Sequence, residues 1–232
     1  MITSRNNPKI KEYLKLKSKK YRDKTDLFLI YGDHLVEQAL IKGTIVEILT
    51  TNQNSSGTYI SQPLMKELSQ GDVVYDIMAV CKKQALEKES DLVLIFDDIQ
   101  NPDNAGALIR SAAAFGFIKI YFSLNSCDFY NEKLIRASQG SIFDVSHERC
   151  NLITKIKELK TNGYYIVGAH AHQKENKIND LKKIALVLGN EGAGISQEVI
   201  ALCDALVKIP TKNVESLNVA VAGSILMYEW SK

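Results

Sequence analysis

Two uninterrupted apolar runs constrain the fold of this 232-residue chain more than any other feature. Residues 92–96 (LVLIF) have the continuous apolar character of a strand that is buried on both faces. Residues 184–188 (IALVL) form a second run, which stops at Gly189 and gives way to the sequence NEGAG. That change is typical of a buried strand that ends in a sharp turn. We therefore expect an α/β domain built on an open parallel sheet.

A polar loop also follows the next predicted strand. Residues 206–209 form a short strand pattern that is closed by Pro210, and residues 211–215 are predominantly polar. The apolar segment 217–230 then suits a helix that is buried over much of its girth, with Ser216 as the predicted N-cap. Because ligands bind at the carboxyl ends of parallel strands, these two loops are the predicted ligand site.

The remaining pattern alternates strands with helices and predicts two domains. In residues 1–86 we predict strands over 27–31 and 45–50 and helices over 33–42 and 63–69, which together indicate a small α/β/α unit. Residues 86–91 are the predicted linker, and residues 91–232 are the predicted second domain. There we predict helices from near Asn104 to Gly116 and over 131–138, 152–160 and 196–203, and strands over 118–122, 142–145 and 164–167.

Positive charge is concentrated at the start of the chain. Residues 1–24 hold nine basic and two acidic side chains, a net charge of +7, and since the whole chain carries +2, the rest carries −5. Asn7 and Pro8 suit an N-cap and a first helical turn, and Ile10, Tyr13 and Leu14 form one apolar stripe. This basic amphipathic helix either contacts nucleic-acid phosphates or is a solvated face on a docked helix.

Several other classes of protein are disfavoured. No apolar run approaches the eighteen or so residues that a membrane span needs, and the start lacks a signal-peptide pattern. We therefore expect a soluble cytoplasmic protein. The four cysteines are scattered, so we expect free thiols. The phosphate-binding P-loop, the dinucleotide fingerprint and the G-x-S-x-G motif do not occur. His170 and His172 lack accompanying cysteines or carboxylates, so we expect no metal site.

Three motifs remain, and each has a purely structural interpretation. Asn104 is compatible with a helix cap and Arg110 with a surface position, although an arginine on such an apolar helix also suggests an anion partner. The sequence around Glu191 is compatible with a turn that carries an exposed acid. Ser216 and Asn218 are compatible with capping roles.

Taken together and in this order, the motifs resemble those of the SpoU, or TrmH-like, RNA ribose methyltransferases of the SPOUT class. The first is NPDNAGALIR at 101–110, the second LGNEGAGIS at 188–196, and the third runs from IP at 209–210 through ESLNVAVA at 215–222. The strong resemblance covers about residues 92–230, and a weaker one covers residues 1–80. It implies transfer of a methyl group from S-adenosylmethionine to a ribose 2′-hydroxyl of structured RNA, ribosomal RNA being favoured over tRNA.

The resemblance also implies features that the pattern alone does not. General rules predict an unknotted doubly wound sheet, whereas the family implies a deep trefoil knot from about Ala185 onward and a homodimer that uses the last helix. The first domain would be an RNA-binding unit similar to ribosomal protein L30e. Tyr31 and Gln38 stand where the family commonly has acidic residues, so no residue roles are transferred there.

Site residues follow by resemblance. The implied cofactor-binding residues are Leu188, Gly189, Asn190, Gly192, Ile209, Pro210, Ser216, Leu217 and Asn218. The implied catalytic residues are Asn104, Arg110, Glu191, Ser216 and Asn218. In the family the motif arginine is proposed as a base; because a guanidinium is always charged, we favour a role for Arg110 in orienting phosphate and stabilising an alkoxide. Glu191 is the second candidate, as a base or as an orienter of Arg110, and no metal is needed.

Two further alternatives stay open at this point. One is an RNA-binding or assembly protein that keeps the fold without catalysis, which the intact Arg110, Glu191, Ser216 and Asn218 disfavour. The other is another SPOUT reaction such as base methylation, which the ESLN form of the third motif disfavours. The sequence does not identify the RNA or the nucleotide.

Overall fold

The computed structural model describes residues 1–69, 73–170 and 182–231. In chain order the helices are α1 Pro8–Lys15, α2 Lys19–Thr25, α3 Asp33–Ile41, α4 Gln62–Leu68, α5 Pro102–Ala114, α6 Glu132–Ser138, α7 Leu152–Thr161, α8 Gln197–Ile200 and α9 Val219–Trp230. The strands are β1 Leu27–Tyr31, β2 Ile45–Thr50, β3 Thr58–Tyr59, β4 Ile77–Lys82, β5 Leu92–Asp97, β6 Lys119–Phe122, β7 Ser146–Arg149, β8 Tyr165–Ala169, β9 Ile184–Gly189 and β10 Ala205–Val207.

These elements form two compact units. The first contains residues 1–85 and 128–143, and the second contains residues 86–127 and 144–232. Residues 128–143 belong to the first unit because their aromatic rings pack against β1: the ring of Phe28 lies 4.6 Å from that of Tyr130 and 6.4 Å from that of Phe143, centroid to centroid. The predicted boundary at residues 86–91 did not include this insertion.

The first unit is built on a mixed four-stranded sheet of order β1-β4-β2-β3. β4 is antiparallel to β1 and β2, and β3 is parallel to β2. The side chain of Asn7 accepts a hydrogen bond from the Lys9 backbone at the start of α1, which confirms the predicted cap. α1 buries Ile10 and Tyr13 in the core of this unit, and its C-cap, Leu16, is buried with them. The basic segment then turns and continues as α2, a separate helix that the sequence pattern did not predict.

The second unit is built on a six-stranded, all-parallel sheet of order β10-β8-β9-β5-β6-β7. Its two central strands, β9 and β5, are the two apolar runs, so the predicted parallel α/β fold is confirmed. Val93 and Val187 pack on one face with Ile156 of α7, and Leu188 lies near α9. Helices on both faces explain why these strands are apolar throughout rather than alternating.

A glycine allows α9 to lie close to α5 and β9. A Cβ atom added at Gly223 would stand 2.4 Å from Leu108 Cδ2 and 2.6 Å from Leu188 Cδ1. The hydroxyls of Ser111 and Ser224 also form a hydrogen bond of 2.7 Å between the two helices. These contacts pack α9 along α5.

Several element boundaries differ from the predicted ones, and four of the differences change how the elements are read. The predicted strand over 142–145 is wrong: Ser141–Phe143 is a 3-10 helix, after two residues with positive φ, Gln139 and Gly140, and the strand begins at Ser146. α9 begins at Val219 with Asn218 as N-cap, not at Leu217 with Ser216. α5 begins at Pro102 with Asn101 as N-cap, because the Asn101 carboxamide reaches the Asp103 and Asn104 amides. α8 spans four residues rather than eight.

Across the described ranges, the helices are all too short or too polar to cross a bilayer.

Candidate active site

The turn after β9 is held in one conformation by its own backbone. Asn190 and Gly194 exchange two backbone hydrogen bonds of 2.9 Å, so the chain reverses within five residues. The Asn190 side chain accepts from the amides of Gly192 and Ala193 and donates to the Asp98 carbonyl at 2.9 Å. A Cβ atom at Gly189 would lie 2.2 Å from the Gly194 carbonyl carbon, so glycine is required where the strand ends.

A cavity of about 430 Å³ lies beside this turn, within the second unit. The structure brings eight of the nine predicted cofactor-binding residues to its lining: Leu188, Gly189, Asn190, Gly192, Ile209, Ser216, Leu217 and Asn218. The ninth, Pro210, is not a lining residue. Leu188 and Leu226 add apolar side chains to a lining that is otherwise rich in polar groups, and the volume of the cavity falls in the range of about 300–1,000 Å³ that is usual for sites of small organic ligands.

Three of the predicted catalytic side chains form one hydrogen-bonded chain at the cavity. Glu191 accepts from the side chain of Asn104 at 3.1 Å, and the Asn104 carbonyl oxygen accepts from the Asn218 side chain, also at 3.1 Å. The Asn218 oxygen in turn caps α9 by accepting from the amides of Ala220 and Val221. The turn after β9, the first turn of α5 and the first turn of α9 are thus joined by side chains.

The carboxylate of Glu191 is held in its ionised form. Partial burial by itself would raise its pKa, but the hydrogen bonds from Asn104 and from the backbone amides of Asn101 and Gln100 outweigh that effect, and the pKa is lowered. A carboxylate with three donors and a lowered pKa is a weak proton acceptor. The hydrogen bonds of the Glu191 carboxylate instead suit a role in holding Asn104 and the loop before α5 in place.

The other two predicted catalytic residues lie apart from this chain of hydrogen bonds. Ser216 is exposed and lines the cavity. Arg110 is exposed on α5 and does not line the cavity. Six residues along a helix place Arg110 about 120° around the axis from Asn104, which explains why Glu191 contacts Asn104 and not Arg110. The anion partner expected for Arg110 is not found among the described residues.

Two aspartates that were not among the predicted site residues form hydrogen bonds with residues in and after the turn that follows β9. Asp97 is 5% exposed and accepts from the backbone and hydroxyl of Ser196 at 2.7 and 2.8 Å. Asp98 has a φ of 59° and presents the carbonyl that Asn190 binds. Their position directly after an apolar strand is the sequence signal that identifies them, because carboxyl ends of parallel strands meet at one edge.

The histidines give no metal site in the part of the chain that is described. His170 lines the cavity, whereas His172 lies outside the described residues. No group of three or more histidine, cysteine, aspartate or glutamate side chains is placed to hold a metal ion within 1–69, 73–170 and 182–231. The expectation that no metal takes part therefore stays a prediction.

Comparison with known proteins gives consistent matches. Residues 91–228 match the model of the SpoU rRNA Methylase family, and residues 7–92 match that of the MRM3-like substrate binding domain. The 23S rRNA (guanosine(2553)-2′-O)-methyltransferase RlmP of Bacillus subtilis strain 168 is 34% identical over 244 aligned positions, which cover 98% of this chain and 97% of the relative.

Solved structures agree over almost the whole chain. An RNA 2′-O ribose methyltransferase superposes with a TM-score of 0.83 at 26% identity, covering 98% of this chain and 96% of the other. The SpoU methyltransferase AviRb from Streptomyces viridochromogenes, solved in complex with AdoMet, superposes with a TM-score of 0.84 over 97% of each chain. Its sequence is 24% identical, so this second likeness shows a shared fold.

Proposed function

The chain belongs to the SpoU rRNA methylase family, and from that membership we propose that it transfers a methyl group from S-adenosylmethionine to a ribose 2′-hydroxyl of structured RNA. We propose 23S ribosomal RNA as the substrate, because the full-length relative from Bacillus subtilis is named for a guanosine of that RNA. The observation that carries the proposal is the cavity between the turn after β9 and the start of α9, with three polar motif residues joined at its edge.

The residues of the cavity fit the proposed cofactor. Leu188 and Leu226 suit the apolar faces of an adenine ring, and the backbone of Gly194 packs tightly against the end of β9 because Gly189 has no side chain. We propose that Leu188, Gly189, Asn190, Gly192, Ile209, Ser216, Leu217 and Asn218 hold it, together with Pro210 as part of the same loop. When bound, the sulfonium of this cofactor supplies a methyl group that is already activated for transfer.

The protein must then align the ribose and stabilise the oxygen that loses its proton. We propose that Glu191, Asn104 and Asn218 keep the three loops in register, because they are mutually bonded and Glu191 is a weak base here. Arg110 has the chemistry of an RNA contact: it is exposed, permanently charged and able to grip phosphate with two parallel donors. In this role it stabilises the developing alkoxide rather than accepting a proton. Ser216, exposed at the cavity, is proposed to contact the substrate.

We also propose the deep trefoil knot that the family implies. The strand order supports it: β9 is inserted between β8 and β5, the chain then passes to β10 at the edge, and α9 returns to pack on Leu108 of α5. For residues 1–86 we propose an L30e-like, RNA substrate-binding domain, and for residues 91–232 the methyltransferase domain. The match of residues 7–92 to a substrate-binding model supports the first assignment.

A homodimer and a cytoplasmic location complete the proposal. The exposed face of α9 carries Val221, Ile225 and Tyr228 at helical spacing, with exposed fractions of 49%, 38% and 49%. An apolar stripe of this kind is typical of a subunit interface. We propose the cytoplasm because ribosomal RNA is the proposed substrate, and we propose that no metal takes part.

Three measurements test the activity. In the first, the purified protein is incubated with radiolabelled S-adenosylmethionine and with 23S rRNA or tRNA, and the label in each RNA is measured. In the second, 2′-O-methyl sites are mapped in RNA from cells with and without the gene. We expect label in 23S rRNA and one site that disappears without the gene. Folded protein that binds no S-adenosylmethionine in calorimetry, with or without RNA, would refute the methyltransferase assignment. Label in tRNA alone would replace the proposed substrate.

A further inference from the structure

The nine cations of residues 1–24 fall into two sets in the structure. Five are held within the first unit: Arg5 by Glu67, Lys9 by Glu47, Lys19 by Asp23, Arg22 by Asp128, and Lys17 by the carbonyl oxygens of Glu67 and Ser69. The other four, Lys11, Lys15, Lys20 and Lys24, are exposed and have no carboxylate partner among the described residues. Only this second set can meet phosphate without breaking an ion pair or a hydrogen bond within the first unit.

Two of the four free lysines, Lys15 and Lys24, line a cavity of about 260 Å³ between α1 and α2. Its apolar part comes from Leu16, which is buried, and Leu27, which is half-buried. Tyr21 is also half-buried in the lining, and the Lys15 ammonium lies 5.6 Å from the centroid of its ring. The cavity thus combines an aromatic ring, apolar side chains and two ammonium groups.

This combination matches one class of ligand. Unpaired RNA bases are bound by stacking on aromatic side chains, while lysines nearby meet the backbone phosphates. A free inorganic anion would gain nothing from Leu16 and Leu27. Lys15 is exposed on a flexible stem, so its ammonium can leave the ring face for a phosphate when a flat base takes its place. Glu12 also lines the cavity and repels phosphate, which favours a backbone path along Lys15 and Lys24.

We propose that this cavity binds an unpaired nucleotide of the RNA substrate, with the base against Tyr21 and the phosphate between Lys15 and Lys24. The inference rests on the proposed function, because it assigns a contact to the RNA that the enzyme methylates. It also gives the positive charge of residues 1–24 a role in RNA binding, although five of the nine cations are held by contacts within the first unit.

The test uses the full chain without S-adenosylmethionine, so that it is independent of methyl transfer. Binding of a labelled single-stranded oligoribonucleotide of about 10 residues, and of the matching duplex, is followed by fluorescence anisotropy over a series of salt concentrations. The lysine variants are Lys15→Gln with Lys24→Gln, and the matched control is Lys11→Gln with Lys20→Gln, which removes the same charge outside the cavity. Substitution is used rather than deletion of α1, because Ile10, Tyr13 and Leu16 belong to the core.

We expect the cavity pair to weaken single-strand binding and to reduce the salt slope by about 1, and the control pair to do markedly less. Tyr21→Leu should weaken single-strand binding about tenfold with little change in salt slope, whereas Tyr21→Phe should bind as the parent does. Equal effects of the two lysine pairs would overturn the proposal, as would a parent that prefers the duplex. Displacement of the oligonucleotide by equimolar AMP would identify a free-nucleotide site and overturn it as well.

If Tyr21→Leu fails to fold, which circular dichroism reports, the two lysine pairs decide the question alone. The outcomes separate from those of the methylation test. A parent that methylates 23S rRNA while both lysine pairs bind equally refutes the nucleotide cavity only. A parent that shows the cavity-specific effects but never methylates RNA refutes the proposed activity only.

Discussion

Glu191 has the contacts of a residue that positions a site, and we propose this role for it rather than proton transfer. Its carboxylate accepts from Gln100, Asn101 and Asn104, and its lowered pKa means that it is ionised at neutral pH. The folded-state pKa lies below the ordinary value of 4.5, so the stability that ionisation contributes is present above 4.5 and is lost as pH falls through the folded-state pKa.

We therefore expect Glu191→Gln to lower the free energy of unfolding by about 1 kcal/mol at neutral pH, a small value because the side chain is largely exposed. The difference from the parent should shrink below pH 4.5. Urea unfolding at the two pH values measures this. If Glu191 were the general base, Glu191→Gln would remove the fall in methylation rate that occurs as pH drops through its lowered pKa; an unchanged fall there agrees with a positioning role.

Arg110 is the residue for which sequence and structure give different information. The resemblance implies a catalytic role, whereas the structure shows an exposed side chain outside the cavity lining of its own chain. We expect Arg110→Ala to lose about a hundredfold or more in single-turnover methylation, the effect of removing one preorganised donor to an oxyanion. Its stability and its affinity for S-adenosylmethionine should remain those of the parent.

Arg110→Lys serves as the matched variant, since an ammonium keeps the charge but not the planar pair of donors. A rate close to that of the parent would show that charge alone suffices. If the alanine variant also methylates normally, Arg110 has no part in the chemical step, and Ser216 becomes the next residue to substitute.

The junction of β9 and its turn sets the shape of the cavity. At Gly189 a methyl group would overlap the backbone of Gly194 and Ile195 at 2.2 Å, and backbone can move only if the turn opens. At Gly192, three residues on, the nearest atom to a Cβ is 3.6 Å away. We expect Gly189→Ala to cost about 3 kcal/mol of unfolding free energy and to abolish S-adenosylmethionine binding.

Gly192→Ala is the control and should unfold at the same urea concentration as the parent. Equal stability of the two variants would mean that the turn tolerates a side chain at either position. That result would contradict the tight geometry between β9 and residue 194.

The helices and strands were predictable from the sequence where the pattern of apolar residues is compatible with only one kind of element. A run such as residues 92–96 can be buried on both faces only inside a covered sheet, and β5 and β9 are indeed its central strands. Residues 142–145 were ambiguous, because a short apolar run fits a helical turn as well as a strand. β4 has alanine, methionine and cysteine in its apolar run, which hides its strand character.

The sequence predicted which residues belong to the candidate site, but not which of them form hydrogen bonds with one another. Glu191 is 87 residues from Asn104, and Asn218 is 114 residues from it, so no spacing rule indicates that they touch. The same holds for Asp128–Phe143, which joins the first unit through ring contacts with Phe28. Contacts of this kind are set by the tertiary fold.

At the scale of the whole molecule, the face of α9 makes the clearest prediction. Leu226 and Met227 are buried against the chain's own core, whereas Val221, Ile225 and Tyr228 form a separate exposed stripe at spacings of four and three. The Phe115 ring lies 5.7 Å from that of Tyr228, centroid to centroid, so this chain covers part of the stripe, yet all three side chains keep more than a third of their surface exposed. We propose that a second copy covers the rest of this stripe, since α9 would otherwise expose a contiguous apolar face.

We expect light scattering of the parent to give twice the chain mass of 25.9 kDa. Ile225→Glu should give the mass of a single chain, because a buried unpaired charge at the centre of an interface is strongly unfavourable. Leu124→Glu is the matched control: Leu124 is 65% exposed on the loop after β6, so the same charge is added away from α9. That variant should stay dimeric. A monomeric parent, or two variants that dissociate equally, would contradict an interface on the Val221, Ile225 and Tyr228 stripe.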